Sequence, residues 1–164
     1  MGVFSCNFRD VCVSLHSLAG TQQFVQPGCM LRSGALGQVS WEDLGEPNTI
    51  LNMQDAEDNE IVSVTGEPKK INWIHESTTA LKNVEKYDTS NPEVSAWVGH
   101  LVYLIQEQGI APVLIHCRYG RDRTGIIVAA ILMCLGVPDD LIMAEYMMSR
   151  EAVPHLMELT IKGL

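Results

Sequence analysis

The chain has 164 residues, 46% of them hydrophobic and 19% charged, which suits one soluble domain over residues 1–164 and excludes a disordered chain. No apolar run reaches the roughly 18 residues that a membrane span needs, so no integral membrane segment is expected. The net charge of −9 argues against nucleic acid as a partner, because that binding rests on neutralising phosphates.

The opening Met1-Gly2-Val3-Phe4-Ser5-Cys6 has neither a basic leader nor a cleavage pattern, so no secretory leader is expected. Cys6 stands where a myristoylation signal wants Ser or Thr. Residues 1–35 mix apolar residues with Gly, Ser and Gln and predict short strands or turns. Residues 48–53 predict a short buried strand after a Gly-Glu-Pro turn. The acidic run 55–60 reads as a solvated loop or helix start. Residues 61–64 fit helix or strand. Residues 71–75 alternate apolar and polar, the period of a strand, with Trp73 expected in the core.

From Pro92 the pattern becomes helical, with Asn91 as its cap. Val94, Trp97, Val98, Leu101, Val102, Leu104 and Ile105 recur at helical spacing, and Gly109 is the expected stop. Residues 112–116 form a short run rich in apolar residues, expected to be a buried strand. A loop follows, then an apolar helix over 124–135. Residues 136–140 end it and cap a further helix from Leu141 to about Ser149, with Met147 and Met148 expected in the core. Strands alternating with helices predict an α/β fold, with a central, mostly parallel sheet flanked by helices.

The segment after the 112–116 strand carries the chemistry: His116-Cys117-Arg118-Tyr119-Gly120-Arg121-Asp122-Arg123-Thr124-Gly125. It joins the carboxyl end of a buried strand to the amino end of a helix, where α/β proteins bind ligands. Successive N–H groups there can converge on a phosphate, and the helix dipole favours negative charge. Three of the chain's eleven basic residues, Arg118, Arg121 and Arg123, fall within this one loop of an acidic protein. Gly120 lets the backbone turn tightly beside the ligand. Arg123 offers a planar fork that can hold two phosphate oxygens. Cys117 sits in the same positive pocket, which favours its thiolate, and a thiolate beneath a phosphate can attack phosphorus. Thr124 is placed to hydrogen-bond the sulfur, and His116 to organise the loop. The other cysteines, Cys6, Cys12, Cys29 and Cys134, form no C-x-x-C pair; reduced cytoplasmic thiols are expected, with no metal and no cofactor. Cys6 or Cys12 as a redox partner for Cys117 is the sharper alternative.

This segment resembles the C-x5-R phosphate loop of the protein tyrosine phosphatase superfamily. Its Gly-basic-Asp-Arg-Thr-Gly form resembles that of the atypical tyrosine and lipid phosphatases, whose loop reads HCxxGKDRTG. Asn7-Phe8-Arg9-Asp10 and Leu31-Arg32-Ser33-Gly34-Ala35-Leu36 resemble that family's NFRD and LRSGAL segments, and residues 144–149 its post-loop helix. The resemblance implies a cysteine phosphatase fold and a phosphomonoester hydrolase of tyrosine, dual-specificity or lipid type. Substrate contacts are expected from Arg118, Tyr119, Gly120, Arg121, Thr124 and Gly125, with support from His116 and Arg32 and from Arg9 and Asp10, read as a structural ion pair that braces the site. Two departures stand out. Gln54-Asp55 falls where the family has an Arg after its strand, and Arg121 replaces a Lys.

The departing oxygen needs a proton from a nearby carboxylic acid. The resemblance points to Asp122, inside the loop. Asp88, ahead of the Pro92 helix, is the alternative, where other phosphatases place a mobile acid; Glu76 ranks third. The substrate is expected to be a phosphorylated protein or a phosphorylated inositol or lipid. Arg118 and Arg121 exceed what one phosphate needs and favour a second acidic group. Two other classes compete: an inactive phosphate-binding or scaffold protein of the same fold, and a sulfur-transfer or arsenate-reducing enzyme.

Overall fold

The computed structural model of the chain describes residues 6–20, 24–55, 63–66, 70–77, 81–107 and 110–164. The expected stop at Gly109, most of the acidic run and the first five residues lie outside them. Five strands form the main sheet: β1 (Arg9–Asp10), β2 (Met30–Ser33), β4 (Thr49–Asn52), β6 (Asn72–His75) and β7 (Val113–His116). Their order is β1-β2-β7-β4-β6, parallel throughout except for β1. The short strands β3 (Gln38–Ser40) and β5 (Ser63–Thr65) pair in a separate parallel ribbon. The fold is thus α/β with a mostly parallel sheet.

β7 is central because it can be: all four of its residues are buried, and Val-Leu-Ile can face apolar layers on both sides. Its alternating side chains divide the core. Val113 and Ile115 join the cluster that all five helices supply, while Leu114 joins Leu31, Ile50 and Ile71 on the opposite face. Phe8, Val39, Trp41 and Val64 close that second face.

The helices are α1 (Val11–Ala19), α2 (Pro92–Gln106), α3 (Asp122–Cys134), α4 (Asp139–Met147) and α5 (Pro154–Gly163). α2 begins as its sequence predicts: the Asn91 side chain accepts from the Glu93 N–H, and Pro92 fills the first helical position. α3 is buried from Asp122 to Leu132, as befits a helix that is apolar all round. It starts two residues before the predicted Thr124, so the phosphate loop runs into the helix.

Four expectations fail. Residues 11–19 are helical where strands or turns are predicted, because Asp10 caps the chain there: its carboxylate accepts from the N–H groups of Cys12 and Val13. α5 is not anticipated at all; it buries only Met157 and Thr160, too thin a stripe to read. Trp73 is 42% exposed because β6 is an edge strand, and Met147 and Met148 lie exposed where α4 ends. Arg9 and Asp10 do not pair with each other. Adjacent residues of a strand point to opposite faces, so Arg9 reaches Glu145 while Asp10 caps α1 and accepts from the Gly28 N–H.

Candidate active site

The loop between β7 and α3 leaves the carboxyl edge of the sheet at its centre. Ser33 of β2 and Asn52 of β4 both stand in register with His116. The ends of those two strands therefore flank Cys117, which is buried. His116 is fully buried beneath it.

The direction of the loop carbonyls decides what the loop can bind. Arg118 O accepts from the Ala35 N–H at 3.0 Å. Tyr119 O accepts from Asn7 Nδ2 at 2.7 Å and from the Cys6 thiol at 3.3 Å. Gly120 O accepts from Arg32 Nη2 at 2.9 Å, and Arg121 O from the Gly125 N–H at 2.9 Å. The carbonyls of 118–120 are thus held outward by the scaffold, and that of Arg121 accepts the first hydrogen bond of α3. Among the described residues, the N–H groups of 118–121 meet no acceptor. A run of amides with its carbonyls tied back is an anion cradle, and the first turn of α3 adds its dipole.

Gly120 makes the close approach possible. Its φ is +64°, and a Cβ there would collide with the backbone of Ser33 and Gly34. Gly125 is less tightly constrained: a Cβ would lie 2.9 Å from the Tyr146 ring.

A buried ion cluster holds the loop from behind. Glu145 accepts from Arg9 Nε at 2.8 Å and from Arg32 Nη1 at 2.5 Å. The hydroxyl of Ser149 accepts from both guanidinium groups, at 3.0 and 3.4 Å. Burial and the neighbouring Arg32 push the Arg9 pKa down, and Glu145 opposes them. The segments 7–10, 31–36 and 144–149 thereby meet at one point behind Gly120.

Arg123 is buried on the first turn of α3. It donates to the Met53 carbonyl and lies 3.4 Å from Asp55 Oδ1. Asp55 occupies the region where the sequence departs from an expected Arg. Among the described residues the buried Thr124 hydroxyl has no hydrogen-bond partner, and its expected bond to the sulfur is not formed.

Asp122 is buried in the first turn of α3. It accepts from Tyr87 Oη at 2.7 Å and from Arg121 at 3.0 and 3.1 Å. The Tyr87 phenol also shares a 2.9 Å hydrogen bond with that of Tyr146. Burial, with these two partners, raises the Tyr87 pKa far above its ordinary value. The hydrogen bonds to Asp122 raise that of Arg121. Arg121 also donates to Glu151 O at 3.0 Å. Arg118 is exposed and lies over the Tyr119 ring. A cavity of about 230 Å³ opens beside the loop, lined by Cys6, Asn7, Tyr119, Arg121, Arg150 and Glu151. Asp88 lies outside this cluster. It is half-buried and accepts from the N–H and hydroxyl of Ser90. Glu76 faces His100 at 3.4 Å on the surface.

A buried thiol in a loop of free amides, followed by an arginine on the next helical turn, is the equipment of a cysteine phosphatase. The family model for the tyrosine phosphatase family matches residues 4–163. The chain belongs to the tyrosine phosphatase family. A 45-residue stretch is 49% identical to Triple specificity protein phosphatase PtpB of Mycobacterium tuberculosis, covering 27% of this chain and 16% of PtpB. The solved catalytic core of Siw14 superposes with a TM-score of 0.58 at 13% identity, over 98% of this chain and 86% of that one. That likeness is one of fold.

Sequence reasoning missed three residues that hold the loop. Glu145 and Ser149 answer arginines more than a hundred residues away, and no local pattern marks them. Tyr87 precedes Asp88 in a segment read only for its aspartate.

Proposed function

We propose that the chain is a cysteine-dependent phosphomonoester hydrolase that works through a phosphocysteine. The observation that carries this reading is the outward tethering of three successive loop carbonyls beside a buried cysteine. The tethering leaves the loop amides and Arg123 to stabilise the equatorial oxygens of the transition state. Cys117 Sγ attacks phosphorus; the S–P bond forms as the P–O bond to the leaving group breaks. An acid protonates the departing oxygen. Water then attacks the phosphocysteine, phosphate leaves, and the carboxylate takes the proton of the water. The buried Thr124 hydroxyl, without a partner among the described residues, is the proposed donor to the departing sulfur.

Asp122 is the proposed acid, because it lies inside the loop itself. To hold a proton it must loosen its grip on Arg121. A substrate whose second negative charge draws Arg121 away would release it. Asp122→Asn should therefore slow hydrolysis of esters with poor leaving groups by about a hundredfold and leave good leaving groups nearly untouched. If Asp88→Asn shows that dependence and Asp122→Asn does not, the proton comes from Asp88.

The substrate class follows from the cations beyond Arg123. PtpB is called a triple specificity protein phosphatase, which supports a phosphorylated protein as one substrate class here. Exposed Arg118, and the cavity that Arg121 shares with Arg150, support a substrate with a second acidic group. Arg118→Ala combined with Arg121→Ala should cut kcat/KM for an inositol polyphosphate about tenfold or more relative to an aryl phosphate. An unchanged ratio would refute the second-charge reading.

A further inference from the structure

We propose that Tyr87 is the positioning residue of the acid: it holds Asp122 Oδ1, so that Oδ2 is the oxygen that carries the transferred proton. The inference rests on the reading of Asp122 as the acid and adds the residue that orients it.

The two carboxylate oxygens are not equivalent. Oδ1 accepts from Tyr87 Oη at 2.7 Å and from Arg121 Nε at 3.0 Å. Oδ2 accepts from Arg121 Nη2 at 3.1 Å, its one donor among the described residues. Arg121 is the donor that can leave. Its side chain is partly exposed and lines the cavity beside the loop. When a substrate draws Arg121 off, Oδ1 keeps the phenol of Tyr87 and Oδ2 loses its donor.

Tyr87 cannot follow Arg121 outward. It is fully buried in the 3-10 turn Glu85–Tyr87. The hydroxyl of Thr160 on α5 donates to Tyr87 O at 2.9 Å, and Thr89 returns a hydrogen bond to Thr160 O at 2.6 Å. The Tyr87 ring meets that of Tyr146 edge to face, with centroids 6.3 Å apart.

The direction of the hydrogen bond is fixed from behind. The Val153 N–H donates to Tyr146 Oη at 3.2 Å, and the Tyr146 and Tyr87 hydroxyls lie 2.9 Å apart. A backbone amide only donates. Tyr87 spends its single proton on Asp122, so the proton between the two phenols belongs to Tyr146. Every proton of the chain thus points from Val153 toward Asp122. Burial keeps the Tyr87 phenol protonated far above its ordinary range, so the donor is not lost.

Oδ1 can accept in both states of the acid, as a carboxylate oxygen and, with the proton on Oδ2, as the carbonyl oxygen. In the first step the Oδ2–H bond breaks and its proton passes to the departing oxygen as the P–O bond breaks. The charge left on the carboxylate then meets a donor already in place. In the second step Oδ2 takes a proton from the attacking water. Without the phenol, the carboxyl group is free to turn about its Cβ–Cγ bond.

The test compares kcat/KM for an alkyl phosphate, a poor leaving group, with that for an aryl phosphate carrying a good one. Tyr87→Phe should lower the alkyl-to-aryl ratio about tenfold, the effect of one lost hydrogen bond to a charged group. Tungstate, which needs no proton, should bind the variant within twofold of wild type. Added to Asp122→Asn, Tyr87→Phe should change the ratio by less than about twofold, because the two residues act as one unit. Should Tyr87→Phe fail to fold, Tyr146→Phe removes the donor behind Tyr87 and should lower the same ratio about threefold. A ratio that Asp122→Asn lowers and the tyrosine variants leave unchanged overturns the proposal and keeps Asp122 as the acid. Tungstate affinity that falls as far as the ratio does overturns it too, since the tyrosine would then only brace the loop. A ratio that Asp122→Asn itself does not move removes Asp122 as the acid, and the role of Tyr87 with it.

Discussion

Replacing Cys117 by serine should lower turnover of an aryl phosphate by about three orders of magnitude or more while tungstate still binds. The two halves of that result have separate causes. Turnover needs an ionised nucleophile, and a serine hydroxyl in the same place holds its proton near neutral pH. Binding needs the amides of 118–121, the first turn of α3 and Arg123, none of which the substitution touches. The serine is slightly smaller than the cysteine and stays within a loop whose carbonyls are tied to Ala35, Asn7 and Arg32. Rapid acid quenching of the wild type with substrate should trap the phosphorylated cysteine by mass. Residual activity above about one tenth of wild type would mean that the reaction does not pass through sulfur.

What could be read in the sequence follows from where the physical demands lie. The loop was legible because a phosphate cradle makes its demands on consecutive residues: a cysteine at the strand end, a glycine where the backbone must approach Ser33, an arginine on the first helical turn. β7 and α2 were legible for similar reasons, a buried apolar run and an Asn-Pro start. The bracing of the loop was not. Arg9, Arg32 and Glu145 meet only when β1, β2 and α4 come together, and the nearest candidate partner along the chain, Asp10, points the other way. α1 and α5 escaped because short helices that bury few side chains carry little periodic signal.

The ion cluster behind Gly120 yields the largest stability effect. Glu145→Ala should destabilise the fold by about 3–5 kcal/mol, the usual consequence of removing one partner from a buried charge pair. The geometry argues for the upper part of that range. Arg32 is fully buried, and its remaining partners would be Gly120 O and the Ser149 hydroxyl, neither of them charged. Arg9 would lose its carboxylate at the same time, although it is partly exposed and keeps the carbonyl at position 145. Glu145→Gln preserves shape and some hydrogen bonding and should cost less. In urea the expected signature is a lower midpoint with an unchanged slope, since the surface exposed on unfolding is the same. Activity offers an independent check. A mispositioned Arg32 releases Gly120 O, and with it the backbone turn that aims the amides at the phosphate. The folded fraction of Glu145→Gln should accordingly bind tungstate more weakly than wild type. A loss of stability below about 1 kcal/mol in Glu145→Ala, the range of exposed surface pairs, would show that the cluster braces nothing.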